Sequence, residues 1–419
     1  MRVPIVLTLA LLAGAAWADD PDAAALSLPG SEPQSAESAK AWQLFAEGAV
    51  GRSVVRTASL AEEARATEQL SIDLQIDAAP VAGLRAVLAD RLDINWLHRF
   101  RQRSEVNTLK EAYLSWQPRD DAIVDLGRIN EYSGVAIGYN PTDFFRHGAL
   151  RSPVSVDPTV IKKNRQGSVM VRGQKLWEGA SLTALYSPRL SRAPSSSAFD
   201  LDWGATNHHD RGLVIFSKRL SEDLNPQWLI YKDQGESPQF GMNLTRLITE
   251  AAVAYLEWSG GRSPSLSNEG LGPQSGRAFH QRLATGLTYT MSNKLSLTLE
   301  YEYNGAGLRA MEWAQLPRAS LPAYLRLREA AKVAQEMPTR RAWLLHATWR
   351  DLLIPRLNLS AMVRRNIEDH SHLSWLELRY HASREELALQ WQRNAGEWFT
   401  DYGGLPLRSA WQFSYRHYF

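Results

Sequence analysis

Cysteine is absent from all 419 residues. That excludes a disulfide framework, thiolate metal sites, thioether-held haem, a cysteine nucleophile and a lipid-modified N-terminal cysteine. Beyond the N-terminus, no apolar run approaches the roughly 18 consecutive residues a membrane helix needs. Neither sign of charge is in surplus. The 47 Lys+Arg face 45 Asp+Glu, so nothing draws the chain as a whole to nucleic acid or anionic lipid. Only a short tail precedes the patterned part of the chain, too little for a plug domain or a folded partner-binding domain.

What is present begins with a leader. Arg2 precedes an apolar run from Val3 to Ala16, and Ala16-Trp17-Ala18 has the small-x-small form of a signal-peptidase site. Residues 1–18 are therefore read as a signal peptide, and 19–40, small, polar and proline-containing, as a flexible periplasmic tail. Aromatics are abundant, with 15 Trp and 14 Tyr. Such rings concentrate where hydrocarbon meets water.

From Ala41 to Phe419 one pattern repeats: a segment of about ten alternating residues, then a connector. Leu295, Leu297, Leu299, Tyr301 and Tyr303 alternate with Ser296, Thr298, Glu300 and Glu302. Leu70 to Asp77, Leu357 to Arg364 and Leu387 to Gln392 repeat the scheme, whereas Gly212–Leu220 and Glu250–Trp258 are apolar on both faces. Period 2 with a charged face needs hydrocarbon on one side and water on the other. About 18 such segments are counted, starting near residues 41, 68, 83, 107, 121, 167, 179, 211, 226, 238, 250, 280, 294, 339, 356, 371, 384 and 408. Connectors such as 78–82, 178–179, 292–293 and 383–384 are short, as periplasmic turns are. The intervening 131–166, 188–210, 259–279, 305–338 and 395–407 are long, as extracellular loops are, with two short exceptions near 233–237 and 368–370. The expected fold is all-β: a transmembrane antiparallel barrel of about 18 strands, with outer-membrane lipid against its outer face.

On the last segment, Trp411, Phe413, Tyr415, His417 and Phe419 share one face, and Phe419 is terminal. In this the chain resembles the Gram-negative outer-membrane β-barrels. The resemblance implies that Trp411, Phe413, Tyr415 and Phe419 form the signal read by the barrel-assembly machinery. The stretch "DLGRINEYSGVAIGYNPTDFFRHG" with "VDPTVIKKNRQG" is similar to the Gly-Arg strand and Asn-Pro/Asp turn of large substrate-handling barrels, including the alginate-export class. That likeness covers about 40 residues and assigns no substrate residue.

By parity the lumen receives Asp73, Asp77, Arg85, Arg91, Glu111, Arg172, Glu300, Glu302, His346, Arg350, Arg364, Glu377, Arg379 and Arg416. Arg350, Arg364, Arg379 and Arg416 form a basic lean in the last strands, faced by Glu377 and Glu386. Such a stripe either favours anions or braces the wall by pairing. Two connectors are candidate constrictions. Residues 131–166 carry Gly134, Gly138 and Asn140-Pro141-Thr142-Asp143, the marks of compact backbone, and then the basic Lys162, Lys163 and Arg165. Residues 305–338 contain "LPAYLRLREAAKVAQEM", a helix with Pro322 near its start, which either caps the barrel or enters it.

Chemistry-bearing constellations are weak. Asn207-His208-His209-Asp210 has metal-binding residue types, but adjacent histidines in a long connector are more often solvent-exposed than ligands. His346, Ser360 and Asp351 imitate a nucleophile-base-acid set, but His346 falls on the lumen face. No catalytic, cofactor or metal residue is assigned. The functional expectation is a porin-like channel for passive diffusion or export of small polar or anionic solutes. A scaffold barrel with a periplasmic partner and an outer-membrane lipid hydrolase are the alternatives.

Overall fold

The computed structural model describes residues 41–57, 61–97, 102–152, 155–191, 204, 206–272 and 276–419; the expected signal peptide and tail lie outside them. Eighteen strands form one sheet, antiparallel throughout. They are β1 (Trp42–Arg56), β2 (Glu62–Val81), β3 (Leu84–Leu97), β4 (Gln102–Arg119), β5 (Ala122–Ile129) and β6 (Ser168–Trp177). Next come β7 (Ala180–Ser187), β8 (Arg211–Lys218), β9 (Gln227–Asp233), β10 (Gln239–Thr249), β11 (Ala252–Ser263) and β12 (Ala278–Thr290). The last are β13 (Leu295–Asn304), β14 (Arg341–Trp349), β15 (Leu357–Asn366), β16 (His372–His381), β17 (Glu385–Ala395) and β18 (Leu407–Tyr418). Each strand pairs with its sequence neighbours, and β1 closes the ring against β18, with Phe45 opposite Tyr418 and Ser53 opposite Ala410. Closure leaves no unpaired edge, the condition a bilayer imposes on a sheet. The starts read from alternation fall within two residues of the observed ones, except at β2 and β4.

Those two exceptions have one cause. Strands β1 to β4 run 15, 20, 14 and 18 residues, well beyond the nine to eleven expected. The added part of β2 sets Glu63, Arg65 and Thr67 on one face and Glu62, Ala64 and Ala66 on the other, so it lacks the large apolar residues by which a lipid-facing segment is recognised. Strands β7, β8 and β9 have only 8, 8 and 7 residues. At about 3.3 Å per residue, β2 is roughly 66 Å long and β9 roughly 23 Å. One side of the wall is tall and the other low.

Side-chain direction follows the period. On β13, Leu299 is 52% exposed on the outside, while Glu300 and Glu302 are fully buried inside. Leu387, Leu389, Trp411, Phe413, Tyr415 and Phe419 are likewise exposed on the outer face, the belt that hydrocarbon covers in a membrane. Short connectors join the strands at one end of the barrel (the turn end); the other (the loop end) carries all the long ones, together with short links after β1, β3, β9 and β15.

Among the described residues the long connectors carry four α-helices: α1 (Pro158–Lys163), α2 (Ser267–Leu271), α3 (Ala310–Gln315) and α4 (Leu321–Ala334). Helix α4 is the one expected from Pro322: Ser320 accepts from the Ala323 N–H at its start, and Gln335 ends it in the left-handed region. Its buried face, including Tyr324 and Leu327, packs with Leu308, Trp313 and Leu316 and against Leu266, Leu271 and Phe399. Of the two alternatives for 305–338, the helix forms a cap with the neighbouring connectors.

Candidate functional site

The β5–β6 connector, residues 130–167, leaves the low side of the wall and folds into the lumen. It enters through Phe144 and Phe145. Phe144 stacks on Tyr231 at 4.6 Å between ring centroids, and Phe145 packs with inward-facing Met170, Leu185, Leu213 and Leu229. This explains why Gly212–Leu220 is apolar on both faces: its outer face meets lipid and its inner face meets the connector. Farther along, Ile137 and Val156 reach a second inner cluster of Leu344, Met362, Leu373 and Trp375 on β14, β15 and β16. The connector therefore spans the lumen from β8 and β9 to β16.

Two wall glutamates hold it. On β11, Glu257 accepts from the backbone N–H groups of Val135, Ala136 and Thr142 at 2.9, 3.1 and 2.8 Å. The same carboxylate also takes the Thr142 hydroxyl and the Asn140 amide at 2.9 and 3.1 Å. On β13, Glu300 accepts from Ile137, Gly138 and Tyr139 N–H at 2.8, 3.1 and 3.0 Å and from the Tyr255 hydroxyl at 2.6 Å. Five consecutive backbone donors thus wrap two carboxylates, an anion nest filled by the protein itself. Both glutamates are completely buried. The close approach dictates glycine at two positions. Gly134 has φ +115°, and a Cβ on Gly138 would lie 2.4 Å from a Glu302 carboxylate oxygen.

The connector's own charges are satisfied locally. Lys162 donates to the Ala136 carbonyl at 3.0 Å, and burial pushes its ammonium below the usual lysine range. Arg165 pairs with Asp143 at 2.6 Å. Glu336, just beyond α4, meets Arg146 at 2.6 Å, Arg282 at 3.1 Å and the Tyr139 hydroxyl at 2.7 Å. Burial alone would raise Glu336, but Arg146 and Arg282 outweigh it and hold the carboxyl below its ordinary value. That cluster ties the cap to the inserted connector.

The rest of the wall, from β15 through β18 and β1 to β6, bears a continuous array of ion pairs. Arg364 meets Glu302 at 2.7 Å, and Arg379 meets Glu377 and Glu386 at 2.7 and 2.8 Å. Arg416 meets Glu386 and Glu47 at 3.0 and 2.8 Å. Arg91 contacts Asp93 at 2.9 Å and Asp73 at 3.5 Å, and Lys110 contacts Asp73 at 2.7 Å. Arg172 joins Asp125 and Glu131 at 2.8 and 2.7 Å. The Phe45 ring lies under Arg416 at 4.5 Å. Side chains of Glu47, Glu377, Arg379 and Arg416 keep 13–21% of their surface, whereas Glu300 and Glu257 under the connector keep none. Solvent reaches those four side chains, whereas Arg91, Asp73, Asp93 and Lys110 of the same array are buried.

Of the residues expected in the lumen, Arg172, Glu300, Glu302, His346, Arg364, Arg379 and Arg416 all point inward. Arg350 follows the last residue of β14 in the turn-end connector, outside the array. Asp77 and Arg85 pair with each other near the turn end, half exposed. Reading parity alone missed Glu257, Glu336, Lys110, Asp93 and Glu47. One signal was present for Glu257, a lone charge in the otherwise apolar "AVAYLEW". Asn207 is a strut, its amide donating to the Val169 and Pro188 carbonyls and to Ser187. Asp351 is occupied by Lys294 at 2.5 Å and by the Arg356 N–H at 2.7 Å.

Fold and lumen together define the class: a closed 18-stranded antiparallel porin-type barrel narrowed from within by one long connector. Solved structures similar to it are outer-membrane proteins of Gram-negative bacteria. OccK5 (OpdH) of Pseudomonas aeruginosa is 11% identical with a TM-score of 0.53, over 90% of this chain and 98% of that one. OccAB1 of Acinetobacter baumannii is 9% identical with a TM-score of 0.53, over 93% of this chain and 99% of that one. At such identities the likeness is one of fold. No protein-family model and no curated protein sequence matches the chain.

Proposed function

We propose that the chain is an outer-membrane channel through which small polar solutes diffuse passively, along the gap between the inserted connector and the ion-paired wall. The observation that carries this reading is the contrast within the lumen between Glu257 and Glu300, fully buried under the connector, and Glu47, Glu377, Arg379 and Arg416, which stay partly solvated. The apolar outer belt and the fold shared with outer-membrane proteins support the location. The C-terminal face ending in Phe419 supports delivery by the barrel-assembly machinery. A hydrolase is disfavoured, because His346 faces the lumen and Asp351 is bound elsewhere.

Anionic solutes are a second reading, favoured by the surface that Arg379 and Arg416 retain beside their carboxylates. Purified folded protein in planar bilayers tests the first reading by unitary conductance and the second by reversal potential in a salt gradient. Absence of conductance, even after removal of residues 309–336, refutes the channel.

A further inference from the structure

Every arginine of the lumen array has a carboxylate partner. Among the described residues several arginines on the outer face do not: Arg52, Arg246, Arg262, Arg365 and Arg393. We propose that Arg365 on β15 and Arg393 on β17 form a site for the phosphorylated headgroup of a glycolipid in the leaflet at the loop end of the barrel. The proposal rests on the reading of the chain as a membrane-spanning barrel with its long connectors outward.

Both side chains are exposed and point away from the lumen, in step with outward Val363 and with Leu387 and Leu389. Among the described residues neither makes a hydrogen bond or an ion pair. Some cations on the outer rim are matched, Arg341 with Glu368 at 2.6 Å and Arg277 with Glu236, while Arg52 on β1 and Arg262 on β11 stand alone among the described residues, Arg262 in a separate sector. The nearest such pair above this sector, Arg408 with Glu62 at 3.5 Å, already uses its carboxylate.

The position is the boundary of the apolar belt. Trp391 lies two residues before Arg393 on the same face, with its ring 6.2 Å from that of Trp411, and Val363 lies two residues before Arg365. A step of two residues is about 7 Å, so the guanidinium groups stand where hydrocarbon gives way to headgroups. Strand β16 separates the two arginines, placing them about 10 Å apart. Across that strand Arg365 is opposite His372 and Arg393 is opposite Ser374. The small Ser374 and Ser409 leave the space between and beside the arginines open to a headgroup. An arginine at the interface costs little by itself, and a phosphate offers the bidentate partner that no side chain supplies.

The test uses the full folded barrel in detergent, titrated with a bis-phosphorylated diglucosamine glycolipid and read by native mass spectrometry. The heat-modifiable gel shift verifies folding of every variant. Each arginine near a headgroup surface contributes about fivefold in affinity, so R365Q/R393Q is expected to bind roughly 25-fold more weakly. R246Q, an outward arginine near the turn end, should bind like the wild type. Binding should also weaken with salt.

The proposal is overturned if the double variant stays within about twofold of wild type or if R246Q loses as much. It is overturned equally if the dephosphorylated glycolipid binds as well, or if phosphatidylglycerol competes on equal terms. A barrel that binds the glycolipid but carries no current refutes the channel and leaves this site standing. A chain that never enters bilayers refutes both.

Discussion

Removing the two glutamates that hold the connector should open the lumen without dismantling the barrel. In Glu257→Ala/Glu300→Ala, six backbone N–H groups, those of residues 135–139 and 142, lose their acceptors. A buried donor left unpaired costs about 1–3 kcal/mol. Six of them cost about 6–18 kcal/mol, as much as the whole stability of a typical domain. No structure retains the connector in place at that cost. The cheaper outcome is for it to leave the lumen and hydrate, while strand pairing, which does not involve these groups, persists.

The native chain has no cysteine, so one introduced at Ala136, 3% exposed in the structure, reports the connector's position cleanly. A membrane-impermeant maleimide should label Ala136→Cys slowly in the otherwise native protein. In the double-alanine background labelling should be at least about tenfold faster, since the loss of even one such bond shifts the equilibrium by that order. Unitary conductance in planar bilayers should rise in parallel, and Glu300→Gln, which keeps one carbonyl acceptor, should fall between. Unchanged labelling and conductance in a barrel that still shows the heat-modifiable shift would refute the latch.

Three further outcomes follow from the wall. Leu299→Arg places a charge in the lipid-facing belt and should lower stability by about 2–4 kcal/mol, whereas Gln412→Arg, on the inner face of β18, should fold normally; urea titration in lipid vesicles separates them. Deleting Phe419, whose N–H bonds the Leu44 carbonyl at 3.0 Å, should reduce the heat-modifiable form in outer-membrane fractions, and normal yield would count against an assembly role for the C-terminal face. Arg379→Gln leaves Glu377 and Glu386 without a shared cation, so the reversal potential should move toward cation preference and move less as salt rises; an unchanged potential with intact conductance would remove Arg379 from the permeation path.

Strand number, order and facing were legible in the sequence because the bilayer enforces them. Hydrocarbon on one face and water on the other leave a period of two, and the turn end leaves little room for variation in connector length. Legibility failed wherever that enforcement lapses. The outer parts of β2 and β4 project past the belt, so a lack of large apolar residues hid their starts at Glu62 and Gln102. The site was less readable still. The turn residues of 131–166 indicated compact backbone, but not that it would wrap carboxylates on β11 and β13, partners more than a hundred residues away.

Glu300 and Glu302 show why parity cannot assign roles within the lumen. They sit two residues apart on one strand, face the same way and are equally buried. Glu300 caps three connector amides, and Glu302 neutralises Arg364. What separates them is which donors reach them: the N–H groups of Ile137–Tyr139 for one, the Arg364 guanidinium for the other. The same reasoning applies to the basic lean of the last strands. Counted by facing, Arg364, Arg379 and Arg416 form a cationic stripe. Counted with their ion-pair partners, three of them on other strands and Glu377 on the same strand as Arg379, they meet Glu302, Glu377, Glu386 and Glu47, four carboxylates to three guanidiniums. Alternation within a strand fixes the face, but the field in the lumen is set between strands. Register across the sheet decides it, and the connector adds to it by burying Glu257 and Glu300 while Glu47, Glu377, Arg379 and Arg416 keep contact with solvent.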